Sequence, residues 1–141
     1  MTRGTRSALA TVVTSLGAAG VAVGTWLPWL VVRPGYDGPV PAIHLPGMTA
    51  GIEGLDWVAL AATGVALVGV LPAARFRTVR FAAVAMAGGG VVAGTTAVYL
   101  VVYGLDYLGV FVPGAGFFLT ALGGVHLAVG GALRLHALAG E

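Results

Sequence analysis

Four long apolar segments, separated by short polar ones, dominate the pattern of this chain. None of the four contains Asp, Glu, Lys or Arg, and they cover residues 7–32, 57–74, 81–105 and 107–133. Each is close to or longer than the about 18 to 20 residues that a helix needs to cross a hydrocarbon core about 30 Å thick. Because Pro113-Gly114 should break the last segment, we expect its helix to begin near Ala115. The pattern predicts an all-α integral membrane four-helix bundle, a single domain over residues 1–141. The predicted helices are 7–32, 57–74, 81–105 and 115–135.

The charged residues between these segments predict the orientation of the bundle. Six of the seven Arg fall on one side, and they are Arg3, Arg6, Arg75, Arg77, Arg80 and Arg134. Four of the five acidic residues, Asp37, Glu53, Asp56 and Asp106, fall on the other side. Since cytoplasmic loops are enriched in Lys and Arg, we expect a multi-pass protein of the cell membrane with both termini cytoplasmic. The longest external loop would then be residues 33–56, between the first two helices.

The first segment has a second interpretation. Two Arg followed by an apolar run and small residues near Ala22 would also fit a cleaved signal peptide over residues 1–24. The apolar run is, however, longer than the 7 to 15 residues of a usual signal-peptide core. We therefore expect an uncleaved first helix, and cleavage would leave the orientation of the other three unchanged.

Composition narrows the chemistry. The chain is 58% hydrophobic and 9% charged, whereas soluble domains have about a quarter charged residues. It contains no Cys, which excludes disulfides and thiol chemistry. Small multidrug exporters are four-helix proteins of comparable size that depend on a carboxylate in their first helix for proton coupling. No carboxylate lies within a predicted span of this chain, which argues against a function of that kind. A formal charge of +2 gives no reason to expect a nucleic-acid partner.

Small residues recur at intervals that favour close helix contacts. In the last helix Gly116, Thr120, Gly124 and Ala128 are spaced four apart. Helices in lipid associate mainly through close packing, which small side chains permit. We therefore expect this stripe to be a helix-helix interface, within one chain or between subunits.

His126 and Thr14 are the candidate intramembrane polar site. Counted from the predicted cytoplasmic boundary, the two lie at similar depths, His126 at roughly 12 Å. A membrane His can relay protons or ligate haem, but no second His lies at a matching depth. The simpler interpretation is a neutral His hydrogen-bonded to a neighbouring helix. We expect no bound cofactor.

Arg33, Asp56 and Asp106 form a candidate external ion-pair cluster. Arg33 is the one Arg on the acidic side, so we expect it to contact Asp56 or Asp106. Such a pair would dock the long loop against the chain that follows the third helix. The carboxyls could instead bind a divalent cation, but their spacing matches no calcium-loop pattern, and we expect no metal.

Several short motifs resemble a known group of proteins. They are "WLPW" after the first helix, "GIEGLDW" before the second, and "VPGAGFFLTALGGVHLAVGGAL" for the last. In this order they resemble small, largely uncharacterised four-helix membrane proteins of actinobacteria and haloarchaea. The resemblance implies a prokaryotic cell-membrane protein. In topology and in "GLDW" the chain is also similar to claudin-type proteins, whose Cys pair it lacks.

Three classes of function follow. We expect a non-enzymatic structural, accessory or assembly role, exerted through helix packing and the external loop. The alternative is a small oligomeric channel or transporter. A redox or haem-binding subunit that uses His126 is the third. The expected partners are the lipid bilayer and either further copies of the chain or a larger membrane complex.

Overall fold

The protein is mostly helical, with 72% of the residues that the structure describes in helices. The computed structural model describes residues 3–70, 78–107 and 109–139, apart from the side chains of Arg3 and Asp106. The four helices in these ranges are α1 (Arg3–Trp26), α2 (Leu55–Val70), α3 (Val79–Tyr99) and α4 (Ala115–Ala139). Beyond α3 the chain continues as a π-helix (Leu100–Gly104) and a 3-10 turn (Leu105–Tyr107). Two short strands are β1 (Leu30–Val32) and β2 (Phe111–Pro113).

Three of the helical segments are long and apolar enough to cross a membrane. These are Gly4–Trp26, Val79–Gly104 and Ala115–Ala139. The described part of α2 is also apolar but has only 16 residues, which corresponds to about 24 Å. The end of the predicted helix 57–74 lies outside the described residues, as do Arg75 and Arg77 of the predicted Arg-rich loop. The length and composition of the described helices therefore indicate a membrane protein.

Helix α1 ends at Trp26, whereas the predicted helix ran to residue 32. Pro28 explains the difference, because proline lacks an N–H and disfavours helical backbone at the residue before it. The following residues instead form β1, which pairs antiparallel with β2 so that Leu30 faces Pro113 and Val32 faces Phe111. An apolar run rich in Val fits a strand as well as a helix.

The bundle is held at its centre by residues from all four helices. Helix α4 packs between α1 and α3, and α2 packs mainly against α3. One core cluster joins them, and it consists of Val21, Ala59, Ala66, Val92 and Leu127, each with 0% exposure. Two of the five are Ala and none is larger than Leu, which lets the helices pack closely.

A second core cluster closes one end of the bundle. It consists of Trp29, Leu30, Tyr99, Phe111 and Phe117. We call this the loop end, which comprises residues 27–54, 100–107 and 109–114. The opposite end carries the start of α1 and the last turns of α4. Each end therefore presents a different surface.

Candidate functional site

The predicted stripe on α4 contacts two different helices of the same chain. A Cβ atom placed on Gly116 would lie 2.7 Å from Gly24 O of α1. One placed on Gly124 would lie 2.8 Å from Ala93 N of α3. A step of four residues turns an α-helix by about 400°, or about 40° past a full turn. The stripe therefore winds from the α1 side at its start to the α3 side further along.

A continuous α1–α4 interface follows mixed three- and four-residue steps. On α4, Gly123 lies where an added Cβ would be 2.7 Å from Gly17 O and 2.8 Å from Val21 N. Conversely, a Cβ on Gly17 would lie 2.8 Å from Gly123 O. Gly17 and Gly123 thus meet backbone to backbone. Sequence reasoning missed this pair because it followed a strict spacing of four.

His126 and Thr14 contact different neighbours. His126 is exposed, and its Nδ1 lies 2.7 Å from Leu122 O, one turn back on the same helix. The predicted hydrogen bond to a neighbouring helix is therefore replaced by one within α4. Thr14 is buried, its hydroxyl donates to Ala10 O at 2.8 Å, and it packs against Gly130. Among the described residues no group of three or more His, Cys, Asp or Glu could hold a metal ion.

Arg134 is buried between helices near the end of the bundle opposite the loop end, although its charge predicted a position at the cytoplasmic boundary of the membrane. It is only 4% exposed, and its Nη1 donates to the Ser7 hydroxyl of α1. Its Nε has no hydrogen-bond partner among the described residues. Helix α4 continues past it to Ala139. The sequence signal for this extension was the apolar character of residues 135–139, which only His136 interrupts.

At the loop end, the segment of residues 43–53 is docked onto the aromatic core; we call it the docked segment. Gly47 O accepts hydrogen bonds from Trp29 N at 2.7 Å and from Leu30 N at 3.2 Å. The Tyr99 hydroxyl donates to Pro46 O at 2.5 Å. Gly47 has a φ of +82°, and a Cβ there would lie 3.2 Å from Trp29 Cβ, so the position favours glycine. These contacts join the loop to α3 and to the chain after α1.

The preceding residues 33–42 are mostly exposed to solvent, unlike the docked segment; we call them the exposed arm. All are exposed except Tyr36, which is half-buried. Val40, an apolar side chain, is 49% exposed. The loop between α1 and α2 therefore has one fastened part and one part that faces outward.

Glu53 organises the docked segment. Its Oε2 accepts a hydrogen bond from Gly47 N at 3.3 Å, and its Oε1 accepts one from the Thr49 hydroxyl at 2.9 Å. His44 Nε2 lies 3.8 Å from Oε2. The Thr49 and Gly47 hydrogen bonds lower the pKa of Glu53. Glu53 is therefore ionised at neutral pH.

Asp56, which precedes the predicted span, caps the start of α2. Its Oδ2 accepts a hydrogen bond from Glu53 N at 2.9 Å, but its Oδ1 has no partner among the described residues. The side chain is only 3% exposed, and this burial raises the pKa of Asp56 to about 6. That value includes two smaller effects: the hydrogen bond from Glu53 N lowers the pKa, and the negative charge of Glu53 raises it.

The predicted Arg33 cluster is only partly described. Arg33 N donates to Val110 O at 2.8 Å, which extends the β1–β2 pairing, and its side chain is exposed. Asp56 takes its hydrogen bond from Glu53 in its own turn. The side chain of Asp106 lies outside the described residues, so its pairing with Arg33 stays a prediction.

The site thus consists of a glycine-packed bundle and the loop end, whose docked segment is held by Trp29, Tyr99, Glu53 and Asp56. We call the docked segment and the exposed arm together, residues 33–53, the cap. Its chemistry is hydrogen bonding and packing. The resemblance to small four-helix prokaryotic proteins stays a prediction as well. No protein-family model, curated protein or solved structure matches this chain.

Proposed function

We propose that this chain is a non-enzymatic protein of a prokaryotic cell membrane, with a structural, accessory or assembly role. It crosses the membrane four times, with both termini cytoplasmic and the loop end outside. The observation that carries the proposal is the divided loop between α1 and α2. Its docked segment is fastened to the aromatic core, while its exposed arm, residues 33–42, faces outward. A rigid base that presents an exposed arm suits binding to another membrane protein.

Charge distribution supports the orientation. Arg6 and Arg80 lie near the end opposite the loop, whereas Asp37 and Glu53 lie at the loop end. The positive-inside rule places the Arg-bearing end in the cytoplasm. Helix α1 packs along α4 through Gly17 and Gly123, which supports its retention in the bundle as an uncleaved helix.

Packing inside the bundle favours a structural role over transport through a single chain. A solute path would require space between α4 and its neighbours α1 and α3. Glycines instead bring these backbones within van der Waals contact at Gly123 and Gly124. His126, the candidate for redox chemistry, is exposed on the outside of α4 with its Nδ1 bonded to Leu122. These positions favour packing over catalysis.

One observation favours the alternative, an oligomeric channel or transporter. Gly90 and Gly94 lie four apart on an exposed face of α3, and a Cβ on either would meet no atom within 4 Å. Small residues at this spacing let two helices approach closely in a membrane. A second copy on this face would create an interface that a solute path could follow.

The test is native mass spectrometry of the gently solubilised protein, which reports subunit count and bound partner together. An arm variant, Asp37→Ser with Val40→Ser, is compared with the control Val79→Ser, an exposed position at the opposite end. The proposal expects the wild type and control to retain a partner protein that the arm variant loses. Retention of the same partner by all three would contradict it. Two results together would favour the alternative: the wild type forms a homo-oligomer that Gly90→Leu abolishes, and the wild type conducts a solute in proteoliposomes.

A further inference from the structure

Asp56 is placed unfavourably for an ionised carboxylate. It is 3% exposed and is bonded to Glu53, the last residue of the docked segment, and one of its two oxygens, Oδ1, has no hydrogen-bond partner among the described residues. Its other oxygen accepts a single bond, from Glu53 N. A buried anion that lacks partners is destabilised relative to the same group in water. Removing its charge, or exposing it to water, would relieve this cost.

Glu53 adds to the cost because it must remain charged. Its two oxygens hold Gly47 N and the Thr49 hydroxyl, and Gly47 in turn binds Trp29. Glu53 therefore anchors the docked segment as an anion, three residues from Asp56. Two like charges at this range disfavour each other's ionised form.

Other titratable groups at this end can also be placed, among them Tyr103, whose ring centroid lies 5.2 Å from that of Tyr99. His44, in the docked segment, is exposed and lies 3.8 Å from Glu53 Oε2. From α3, Tyr99 uses its hydroxyl on Pro46 O. Arg33 and Asp37 belong to the exposed arm, and Asp106 follows α3 with its side chain outside the described residues. Of Glu53 and Asp56, only Asp56 combines little exposure with a carboxyl oxygen that has no hydrogen-bond partner among the described residues.

We propose that Glu53 and Asp56 form a proton-operated latch that fastens the docked segment, residues 43–53, to the bundle. When Asp56 takes up a proton, Glu53 keeps its charge and its two hydrogen bonds, and the segment stays closed. When both carboxyls are ionised, opening of the segment hydrates Asp56, so the open form gains population. The latch concerns the fold of the cap alone and holds whether or not the arm binds a partner.

The direction of the pH response follows from linkage. The pKa of Asp56 is about 6 in the closed form, and its ordinary value is 3.8. The closed form therefore binds more protons between these values, and it loses stability as the pH rises through this window. Between pH 5 and pH 7.5 the equilibrium constant for opening should rise about tenfold. Above this range it should change little.

The test is hydrogen exchange of the full-length protein in detergent, measured at pH 5 and pH 7.5 and corrected for intrinsic exchange. We expect the Gly47 and Gly51 amides of the wild type, which donate to Glu53 Oε2 and to Trp26 O, to lose protection about tenfold at the higher pH. Asp56→Asn, which mimics the protonated carboxyl, should be equally protected at both values. Asp37→Asn, an exposed carboxyl in the arm, should keep the wild-type response. Amides of α4 serve as an internal reference for global opening.

Equal protection of the wild-type segment at both pH values would overturn the latch. So would a wild-type pH response in Asp56→Asn. Infrared spectroscopy covers the case in which Asp56→Asn does not fold. In the wild type, a protonated carboxyl band should titrate near pH 6, and absence of this band would equally overturn the proposal. Binding of a partner enters neither readout, so failure here leaves the proposed function to its own test.

Discussion

Two adjacent glycines in α3 provide a matched test of the packing. A Cβ on Gly89 would lie 2.7 Å from Gly124 O and 2.8 Å from Ala128 Cα of α4. A Cβ on Gly90 would meet nothing within 4 Å. Gly89→Ala and Gly90→Ala therefore make the same chemical change in the same helix, one at an interface and one on an exposed face.

The magnitudes follow from helix propensity and overpacking. Each change should gain up to about 1 kcal/mol, because Ala favours helix over Gly. At Gly89 the new methyl would meet backbone atoms, which cannot rotate away as a side chain can. Ordinary carbon contacts lie at about 3.5 to 4.0 Å, so α3 and α4 would have to separate by about 1 Å. Overpacking of this kind costs about 1 to 3 kcal/mol.

Unfolding by denaturing detergent, followed by tryptophan fluorescence, measures the two free energies. We expect the free energy of unfolding of Gly89→Ala to lie about 1 to 3 kcal/mol below that of Gly90→Ala, which has the same propensity gain without the overpacking. Gly90→Ala should leave the wild-type value unchanged or raise it slightly. Equal free energies for the two variants would refute the assignment of Gly89 to a backbone-to-backbone interface.

Three further substitutions test the polar contacts. Tyr99→Phe should lower the free energy of unfolding by about 0.5 to 1.5 kcal/mol and raise hydrogen exchange at Gly47, because Pro46 O loses its donor. Unchanged exchange would contradict the docking of this segment. His126→Leu should change stability by less than about 0.5 kcal/mol, since the ring is exposed and bonded only within α4; a larger loss would show a contact with another helix. Arg134→Met should be neutral or stabilising in thermal unfolding, because it removes a buried cation with an unpartnered Nε while keeping the apolar stem. A marked loss of stability would contradict this account.

The segments without charged residues predicted the positions of the helices well where polar residues or a Pro-Gly pair marked the helix ends. The predicted start of α4 at residue 115 is confirmed, and α3 with its π-helical extension closely matches 81–105. The end of α1 was wrong because hydropathy does not distinguish helix from strand. Pro28 was the signal that could have corrected it.

The contacts of the site were less accessible to sequence reasoning. The stripe on α4 was identified, but its partners depend on how far each four-residue step rotates around the helix. The burial of Asp56 and Arg134 depends on tertiary contacts: Asp56 lies next to the docked segment, which is fastened by Trp29 and Tyr99, and Arg134 contacts α1. Ser7, which accepts a hydrogen bond from Arg134, lies at the other end of the chain. Pairings of this kind follow from the fold and are not marked by a local pattern.

The chain contains no Cys, so single introduced cysteines can report its topology directly. Val40→Cys places a thiol in the exposed arm, and His136→Cys places one near the end of α4, where the native residue is also exposed. Intact cells are treated with a membrane-impermeant maleimide, and a second sample is permeabilised first. The account predicts that Val40→Cys is labelled in intact cells, whereas His136→Cys is labelled only after permeabilisation. Labelling of His136→Cys in intact cells, or protection of Val40→Cys, would contradict the proposed orientation and the outward-facing cap.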